Sequence, residues 1–403
     1  MPENHVRASY DVIVVGAGLI GLSCAWRAAE RGLRVLVADP APGDGASGVA
    51  AGMLAPVTEL HHGEETLLRL SLDAARAYPL FVADVERVGG LEVGYHRCGT
   101  LAVALDRGDH AALEDLHATH RRLGFETELL TGSQCRRREP LLATSVAGGA
   151  LVASDHQVDA RRLQRGLRAA AAAAGVHLVE AAAAIRVHGN DRNARAEGVE
   201  LDDGRTVHAD QVLIAAGCRS GPHGGLRLLG MAPARATRVL PPVRPVKGQI
   251  LRLRVPRTSQ PFLSGTVRGT VHGSSVYLVP REDGELVVGA TSEEMGFDTS
   301  VTAGGVHGLL RDAQELVPGV SELELVEATA RLRPGSPDNA PIVGATSLPG
   351  LLVATGHHRN GVLLAGVTGS AVARLLAEGV PPPGWNPFAP SRFETNRTEG
   401  AAV

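Results

Sequence analysis

The chain has 403 residues, of which 44% are hydrophobic and 21% are charged, with a net charge of −3. This length predicts two domains, or one large domain with an insertion, and the composition suits a substantial buried core. The small net charge and the lack of a basic stripe argue against nucleic acid as a partner. Lys247 is the only lysine, and every other basic side chain apart from histidine is arginine.

The spacing of the cysteines does not match a metal-binding or redox motif. There are four, far apart in the sequence: Cys24, Cys98, Cys135 and Cys218. Such thiols are typical of a reducing compartment. The residues before Asp11 do not have the character of a secretory leader, and no stretch approaches the length of a membrane span. We therefore expect a cytoplasmic protein with no metal site and no membrane partner.

Near its start the sequence predicts a strand, a glycine-rich turn, a helix and a second strand. The apolar run 11–15 leads into Gly16, Gly18 and Gly21, in the pattern Gly-x-Gly-x-x-Gly, and the second strand ends at Asp39. These glycines allow the tight turn, the approach of a pyrophosphate and the packing of the helix, respectively. Asp39 lies about 20 residues further on, where the fingerprint has an acid that binds ribose. The motif predicts dinucleotide binding but does not distinguish FAD from NAD.

The rest of the chain predicts an α/β protein whose first domain is interrupted by a second. Alternating strands and turns at 241–325 predict an antiparallel sheet, after which the chain returns to strands and a helix at 361–377. We predict a Rossmann-like cofactor domain interrupted by a substrate domain with a mainly antiparallel sheet. The predicted boundaries are 1–88, 150–235 and 330–395 for the first, 89–149 and 236–329 for the second, and a disordered tail at 396–403.

Residues 355–364 predict a strand that enters a glycine-rich turn and then a helix. Backbone N–H groups and the positive end of the helix dipole at such a turn favour an electron-rich ring that becomes anionic on reduction. Arg359 would add a fixed cation beside that ring. The motif alone leaves open an ordinary strand–turn–helix with a surface arginine.

Several segments together resemble the D-amino-acid oxidase family of FAD-dependent amine oxidases, and within it the branch that oxidises glycine for thiamin biosynthesis. The matching segments are the fingerprint at 16–21, residues 46–47 and 50–54, 212–217, 245–249, 277–281, 333–335 and 356–361. The pairing of Leu332-Arg333-Pro334-Gly335 with the 356–361 turn is more specific than the fingerprint. His358 departs from the family, which more often has an aromatic residue there.

The resemblance implies FAD, and the sequence has no second Gly-x-Gly-x-x-Gly for a pyridine nucleotide. Oxygen is then the expected electron acceptor. Some relatives tether the flavin through a cysteine near the segment of Arg333, and none lies there, so noncovalent FAD is expected. The residues that the resemblance assigns to FAD are Gly16, Gly18, Leu19, Ile20, Gly21, Asp39, Pro40, Ala46, Ser47, Ala51, Gly52, Met53, Ala184, Gly217, His357, His358, Arg359, Asn360, Gly361, Val362 and Leu363.

For the substrate, the resemblance assigns Arg333 to the carboxylate, with Arg359, Tyr277 and Met53 nearby. An arginine suits this task because its planar fork grips a carboxylate with two parallel hydrogen bonds. Arg331 would share the face of Arg333 in a regular strand, so spacing alone leaves it as an alternative. No general base is expected, because the lone pair of a neutral substrate amine can drive hydride transfer. His357 and His358 are therefore not nominated as bases.

The resemblance thus implies oxidation of glycine to its imine by FAD, with hydrogen peroxide as the second product. The imine hydrolyses to glyoxylate and ammonia or supplies a thiazole ring in thiamin synthesis. A sarcosine or D-amino-acid oxidase or dehydrogenase on the same fold is one alternative. A flavin-binding partner protein without turnover is another, and a homo-oligomer is compatible with the sequence.

Overall fold

The structure is a computed structural model that describes residues 9–61, 63–190, 192–271 and 273–393. The tail predicted at 396–403 lies outside these residues. The strands are β1 (Ser9–Val15), β2 (Val35–Ala38), β3 (Met53–Leu54), β4 (Thr100–Ala104), β5 (Glu128–Thr131), β6 (Gly148–Val152), β7 (His156–Gln157), β8 (His177–Val179), β9 (Ala183–His188), β10 (Arg195–Leu201), β11 (Thr206–Ile214), β12 (Leu228–Leu229), β13 (Arg244–Arg254), β14 (Thr266–Val271), β15 (Ser274–Pro280), β16 (Glu285–Gly289), β17 (Glu324–Gly335), β18 (Ile342–Ala345) and β19 (Leu351–Thr355). The α-helices are α1 (Leu19–Glu30), α2 (Glu65–Gly89), α3 (Arg107–Arg122), α4 (Gly132–Arg138), α5 (Ala160–Ala173), α6 (Pro233–Val239), α7 (Ala303–Leu316) and α8 (Gly361–Glu378).

A nine-stranded sheet contains the predicted β1–α1–β2 unit. Its parallel part has the order β8-β2-β1-β11-β19, and β18 pairs with β19 in the antiparallel direction. On the other side, β10 pairs with β11 and β9 pairs with β10, both in the antiparallel direction. The Rossmann-like part of the prediction is therefore confirmed.

Both faces of the parallel strands are buried, because helices or other segments of the protein pack against each face. Val12 and Val14 of β1 pack into the apolar cluster that includes residues of α1, α2, α5 and α8. Ile13 and Val15, which alternate with them, pack into the cluster on the opposite face. This alternation is the two-residue period of a strand. It leaves the carboxyl end of β1 open at the Gly16 turn, where a cofactor site is expected.

The second large sheet has eight strands in the order β17-β13-β16-β15-β14-β4-β6-β5. As predicted, the sheet is mainly antiparallel. The exception is the parallel pair of β14 and β4. Two strands cross the boundaries predicted at 150 and 330, because β6 pairs with β4 and the whole of β17 pairs with β13. Arg333 therefore lies in the same sheet as Tyr277.

The segment that leads into α8 and the helix itself are apolar. By length and composition alone, His358–Glu378 could cross a membrane, which the sequence analysis overlooked. Inside this protein, 72% of its most apolar window is buried. A buried helix of this composition is typical of a protein core.

Candidate active site

A cavity of about 1200 Å³ extends from the end of β1 to the face of the eight-stranded sheet. Most residues predicted for cofactor and substrate line this one cavity. Those that line it are Gly16, Gly18, Leu19, Ile20, Asp39, Pro40, Ala46, Ser47, Ala51, Gly52, Met53, Gly217, Tyr277, Arg333, His357, His358, Arg359, Gly361 and Val362. Its volume exceeds the roughly 300–1000 Å³ of ordinary small-molecule pockets, as a dinucleotide requires.

Four of the predicted cofactor residues do not lie on the cavity wall. Gly21 faces the carbonyl of Gly16, which any side chain at position 21 would overlap, so its role is helix packing. Ala184 is 4% exposed and pairs with Glu200 inside the nine-stranded sheet, while Ala182 and Ala183 line the cavity instead. The side chains of Asn360 and Leu363 are buried at 7% and 2% exposure.

The turn after β1 is held by Asp39. Gly16 has a φ of 113°, which favours glycine, and a Cβ there would lie 2.7 Å from the carbonyl carbon of Ala215. The Ala17 N–H donates to Asp39 Oδ2 at 2.6 Å, and the Ala41 N–H donates to Oδ1 at 2.8 Å. Asp39 thus organises the cofactor end of the cavity, in addition to any bond it makes to a ribose.

Ser47 lies against the first turn of α1. Its Oγ accepts a hydrogen bond of 3.1 Å from the Leu19 N–H, and a Cβ at Gly18 would lie 3.3 Å from the same oxygen. Position 18 therefore has room for a hydrogen atom but little for a side chain. The loop at 46–48 and the fingerprint form one continuous surface at the positive end of α1.

The segment at 51–53 is anchored by an arginine whose role the sequence analysis did not recognise. Arg281 donates from Nη2 to the Ala51 carbonyl at 2.5 Å and from Nη1 to Gln157 Oε1 at 2.6 Å. Gln157 in turn pairs with Met53 between β7 and β3. Arg281 belongs to the segment that resembles the family, but that resemblance did not indicate what it holds.

His357 and His358 lie in the turn before α8 and are both neutral at neutral pH. Burial lowers the pKa of His357 to about 3, and its Nε2 lies 3.0 Å from Thr368 Oγ1. Burial, followed by the nearby charge of Arg359, lowers the pKa of His358 to about 4. In both side chains Nδ1 is buried, and no described residue forms a hydrogen bond with it. Such weakly basic imidazoles suit a structural role better than proton abstraction at neutral pH.

The three arginines considered from the sequence differ in their partners. Arg331 forms an ion pair with Asp44, and Arg359 forms one with Glu64 and also donates to the Glu59 carbonyl at 3.2 Å. Both guanidinium groups are thus already engaged by carboxylates. Arg359 was expected to bind the substrate directly. In the structure it already forms a buried ion pair with Glu64, which the sequence did not indicate.

Arg333 has no carboxylate partner among the described residues. It donates from Nη1 to the Thr291 carbonyl at 3.0 Å, and its charge lies close enough to the Tyr277 hydroxyl to affect the pKa of that group. Its guanidinium lies over Gly248, where a Cβ would come within 2.6 Å of Cζ, so glycine makes room for it. Burial raises the pKa of Tyr277, against the opposing effect of Arg333, so the phenol remains protonated. Arg333 is a cation available to a ligand carboxylate.

Further charged residues on the cavity wall were missed, among them Glu59, Glu64 and Arg268. Glu59 and Glu64 follow β3, and Arg268 lies in β14 with Nη1 at 3.5 Å from Glu59 Oε1. No motif or spacing in the sequence distinguishes them from ordinary surface charges. Among the described residues, no group of three or more His, Cys, Asp or Glu side chains is arranged to hold a metal ion.

Asp155 is fully buried and holds the turn that precedes Glu59. Its carboxylate accepts from the Thr58 N–H and hydroxyl, each at 2.7 Å, and from the Val57 N–H at 3.3 Å. Burial raises the pKa of Asp155 from 3.8 to about 6, against the lowering effect of these hydrogen bonds. The position of Glu59 therefore depends on a carboxyl group that titrates near neutral pH.

This pKa predicts how stability changes with pH. Because the folded protein binds the proton of Asp155 more tightly than the unfolded chain, the stabilising contribution is complete below pH 3.8 and declines as the pH rises through about 6. The decline corresponds to about 3 kcal/mol. The free energy of unfolding is to be measured with urea for wild type and for Asp155→Asn. The difference, wild type minus variant, should fall by most of this amount between pH 4 and 7.5. An unchanged difference would contradict the raised pKa.

Comparison with known proteins shows which family and which relatives the chain is similar to. The family model described as FAD dependent oxidoreductase matches residues 11–375. The glycine oxidase of Geobacillus kaustophilus is 33% identical over 374 residues, which cover 91% of this chain and 93% of that protein. The crystal structure of glycine oxidase from the same organism superposes with a TM-score of 0.83 at 31% identity, covering 96% of this chain and 99% of that one.

A second kind of relative is longer than this chain. The bifunctional protein ThiO/ThiG of Synechocystis is 32% identical over 398 residues, which cover 97% of this chain but 55% of that protein. This chain thus spans about half the length of the bifunctional relatives that it matches.

Proposed function

Because the chain belongs to the family of FAD-dependent oxidoreductases, we propose that it oxidises glycine and other small amines to the imine, with oxygen as the electron acceptor. Hydrogen peroxide is the second product, and the free imine hydrolyses to glyoxylate and ammonia. The similarity to a bifunctional ThiO/ThiG protein supports a use of the imine in the thiazole ring of thiamin. The observation that carries the substrate class is Arg333, a cavity cation without a carboxylate partner among the described residues.

The residues of the cavity fit FAD. A Cβ at Gly16 would overlap the Ala215 backbone and one at Gly18 would approach Ser47, so glycine keeps this turn close to its neighbours. The turn opens at the first turn of α1, which favours a pyrophosphate. From there the wall continues through 51–53 to His358 and Arg359, whose cation favours an anionic ring edge. His358 Nδ1 and Arg359 Nε are buried and have no hydrogen-bond partner within the described part of the chain, as expected where a ligand supplies acceptors or donors.

FAD bound in this cavity would supply the acceptor for a hydride from the α-carbon of the substrate and the route of the electrons to oxygen. The side chains position the substrate. Arg333 and Tyr277 bind its carboxylate from the floor of the cavity and so hold the α-carbon in one place. The substrate amine reacts in its neutral form, so no side chain is required to remove a proton from carbon. The low pKa values of His357 and His358 keep further positive charge away from this amine.

The FAD is expected to be noncovalent even though one thiol lies in the cavity. Cys218 lines the wall next to Gly217, and burial raises the pKa of its thiol above the usual value. A protonated thiol is a poor nucleophile, so attachment to the flavin is disfavoured. Acid precipitation should leave a colourless pellet and all FAD in the supernatant, for wild type and Cys218→Ala alike. Yellow colour that stays with wild-type polypeptide would contradict this.

The proposed function is tested on the purified holoprotein with glycine, sarcosine and D-proline. We expect oxygen uptake and equimolar hydrogen peroxide with glycine, and bleaching of the yellow colour by glycine in the absence of oxygen. Preferential oxidation of D-proline or sarcosine would show that the chain is a D-amino-acid or sarcosine oxidase of the same fold. A yellow protein that no amine bleaches would overturn the proposal in favour of a flavin-binding protein without turnover.

A further inference from the structure

We infer that Lys247 is a positioning residue for substrate binding. It acts through segment 290–302, which it holds against the eight-stranded sheet and which in turn orients Arg333. This inference rests on the proposed function, because it concerns the residue that binds the substrate carboxylate. It is carried by the complete burial of the lysine, by its partners and by the contacts of the segment.

Lys247 is buried but does not line the cavity. It is the only lysine of the chain, and its side chain is 0% exposed. In β13, successive side chains point to opposite faces of the sheet, and the next residue, Gly248, lies on the cavity wall beneath the guanidinium of Arg333. A buried ammonium costs free energy unless acceptors surround it, so its partners indicate its role.

The described partners of the Lys247 ammonium all belong to segment 290–302. Nζ donates to Asp298 Oδ2 at 2.5 Å and to Ser300 Oγ at 3.5 Å, and it lies 3.8 Å from Glu293 Oε2. The hydrogen bond from Lys247 holds the pKa of Asp298 at about 2, below its usual value of 3.8. The Lys247 backbone also exchanges two hydrogen bonds with that of Glu293, of 2.9 and 3.0 Å. Lys247 thus binds the segment at two points, 293 and 298–300.

The segment depends on such contacts because it has little regular structure of its own. It connects β16 to α7 and contains neither a helix nor a strand, apart from the bridge between Glu293 and Lys247. Residues 294–297 and 299–302 are exposed. Without a helical or sheet ladder, the position of the segment is set by the side chains that bind it.

The segment connects Lys247 to the substrate site. Arg333 Nη1 donates to the Thr291 carbonyl at 3.0 Å. Glu293 links this residue to the tether, because its Oε1 accepts from the Thr291 hydroxyl at 2.5 Å while its Oε2 faces Lys247. Loss of Lys247 therefore loosens the carbonyl that orients the guanidinium. It also loosens part of the cavity wall, which the segment forms with Ala290, Thr291, Ser292, Phe297 and Thr299.

Lys247→Met tests the tether. Methionine keeps an unbranched apolar side chain and removes the charge, and the released carboxylates of Asp298 and Glu293 are 39% and 28% exposed, so water can solvate them. The ligand is (methylthio)acetate, which has sulfur in place of the substrate amine, titrated into oxidised holoprotein and followed through the flavin absorbance. Its affinity should fall by about tenfold or more, because a misplaced guanidinium binds a carboxylate poorly. KM for glycine should rise by more than kcat falls, with normal FAD content.

Arg252→Met is the matched control. Arg252 is another buried basic residue of β13, at 2% exposure, and it pairs with Glu285 and Glu327, which lie outside segment 290–302. This variant should keep the affinity for (methylthio)acetate within about threefold. An equal loss in both variants would show that the tether has no special role and would overturn the inference.

A double-mutant cycle with Arg333→Ala separates positioning from general damage. If Lys247 acts through Arg333, Lys247→Met should weaken (methylthio)acetate by less than about threefold in the Arg333→Ala background. Additive losses, or wild-type affinity in Lys247→Met alone, would contradict the inference. If no amine is oxidised but the selective loss in Lys247→Met remains, the proposed function fails and the inference stands. A wild-type protein that binds no (methylthio)acetate would overturn both.

Discussion

Arg333→Ala is expected to lower kcat/KM for glycine by about 3–5 kcal/mol, or roughly two to four orders of magnitude, with normal FAD content. Among the described residues no carboxylate engages Arg333, whereas Asp44 engages Arg331. Arg333 donates to the Thr291 carbonyl and lies near Tyr277. Its loss raises KM because the substrate carboxylate has no partner, and it lowers kcat because the α-carbon is no longer held in place. Steady-state oxygen uptake and the flavin absorbance of each purified variant measure the two effects.

Arg333→Lys and Arg331→Ala are the comparisons for this variant. An ammonium group cannot reproduce the two-pronged geometry, so Arg333→Lys should recover only part of the loss. Arg331→Ala removes a guanidinium that already binds Asp44, so with saturating FAD its kcat/KM should change far less. If Arg333→Ala oxidised glycine nearly as well as wild type, the carboxylate would be held elsewhere, with Arg359 as the first candidate.

Gly18→Val is expected to yield a colourless protein or one that binds FAD at least about a hundredfold more weakly. Even a Cβ at position 18 would lie 3.3 Å from Ser47 Oγ, which accepts the hydrogen bond of the Leu19 N–H. The two γ-methyl groups of valine would either displace Ser47 or occupy the space above the first turn of α1. That space is the one we assign to the pyrophosphate.

Gly308→Ala is the matched control for this substitution. Gly308 lies within α7, and a Cβ there meets no atom within 4 Å, so the variant should fold and retain FAD. Circular dichroism of both variants separates loss of cofactor from loss of fold. A folded Gly18→Val that binds FAD with wild-type affinity would show that the fingerprint is not the cofactor site.

Local patterns in the sequence were enough to predict much of the fold. The glycine spacing, the acid at Asp39 and the apolar run of β1 are signals within a few dozen residues, and the structure builds the predicted β1–α1–β2 unit from them. The alternating strands at 248–255 and 275–280 likewise predicted an antiparallel sheet, because a half-buried strand repeats every two residues. β17 crosses the predicted boundary at 330, since its pairing with β13 keeps Arg333 in the second sheet.

The sequence by itself determined the cofactor fingerprint, the two kinds of sheet and the identity of Arg333 and Tyr277 as candidates. Only the tertiary structure decided which arginines remain free. Glu64 engages Arg359 from 295 positions away and Asp44 engages Arg331 from 287, and no periodicity or motif records such pairs. The same holds for Arg268 and Glu59, which meet across the cavity. A charged side chain has the same local signature whether solvent or a distant carboxylate surrounds it, so its availability to a ligand is set by packing between remote segments.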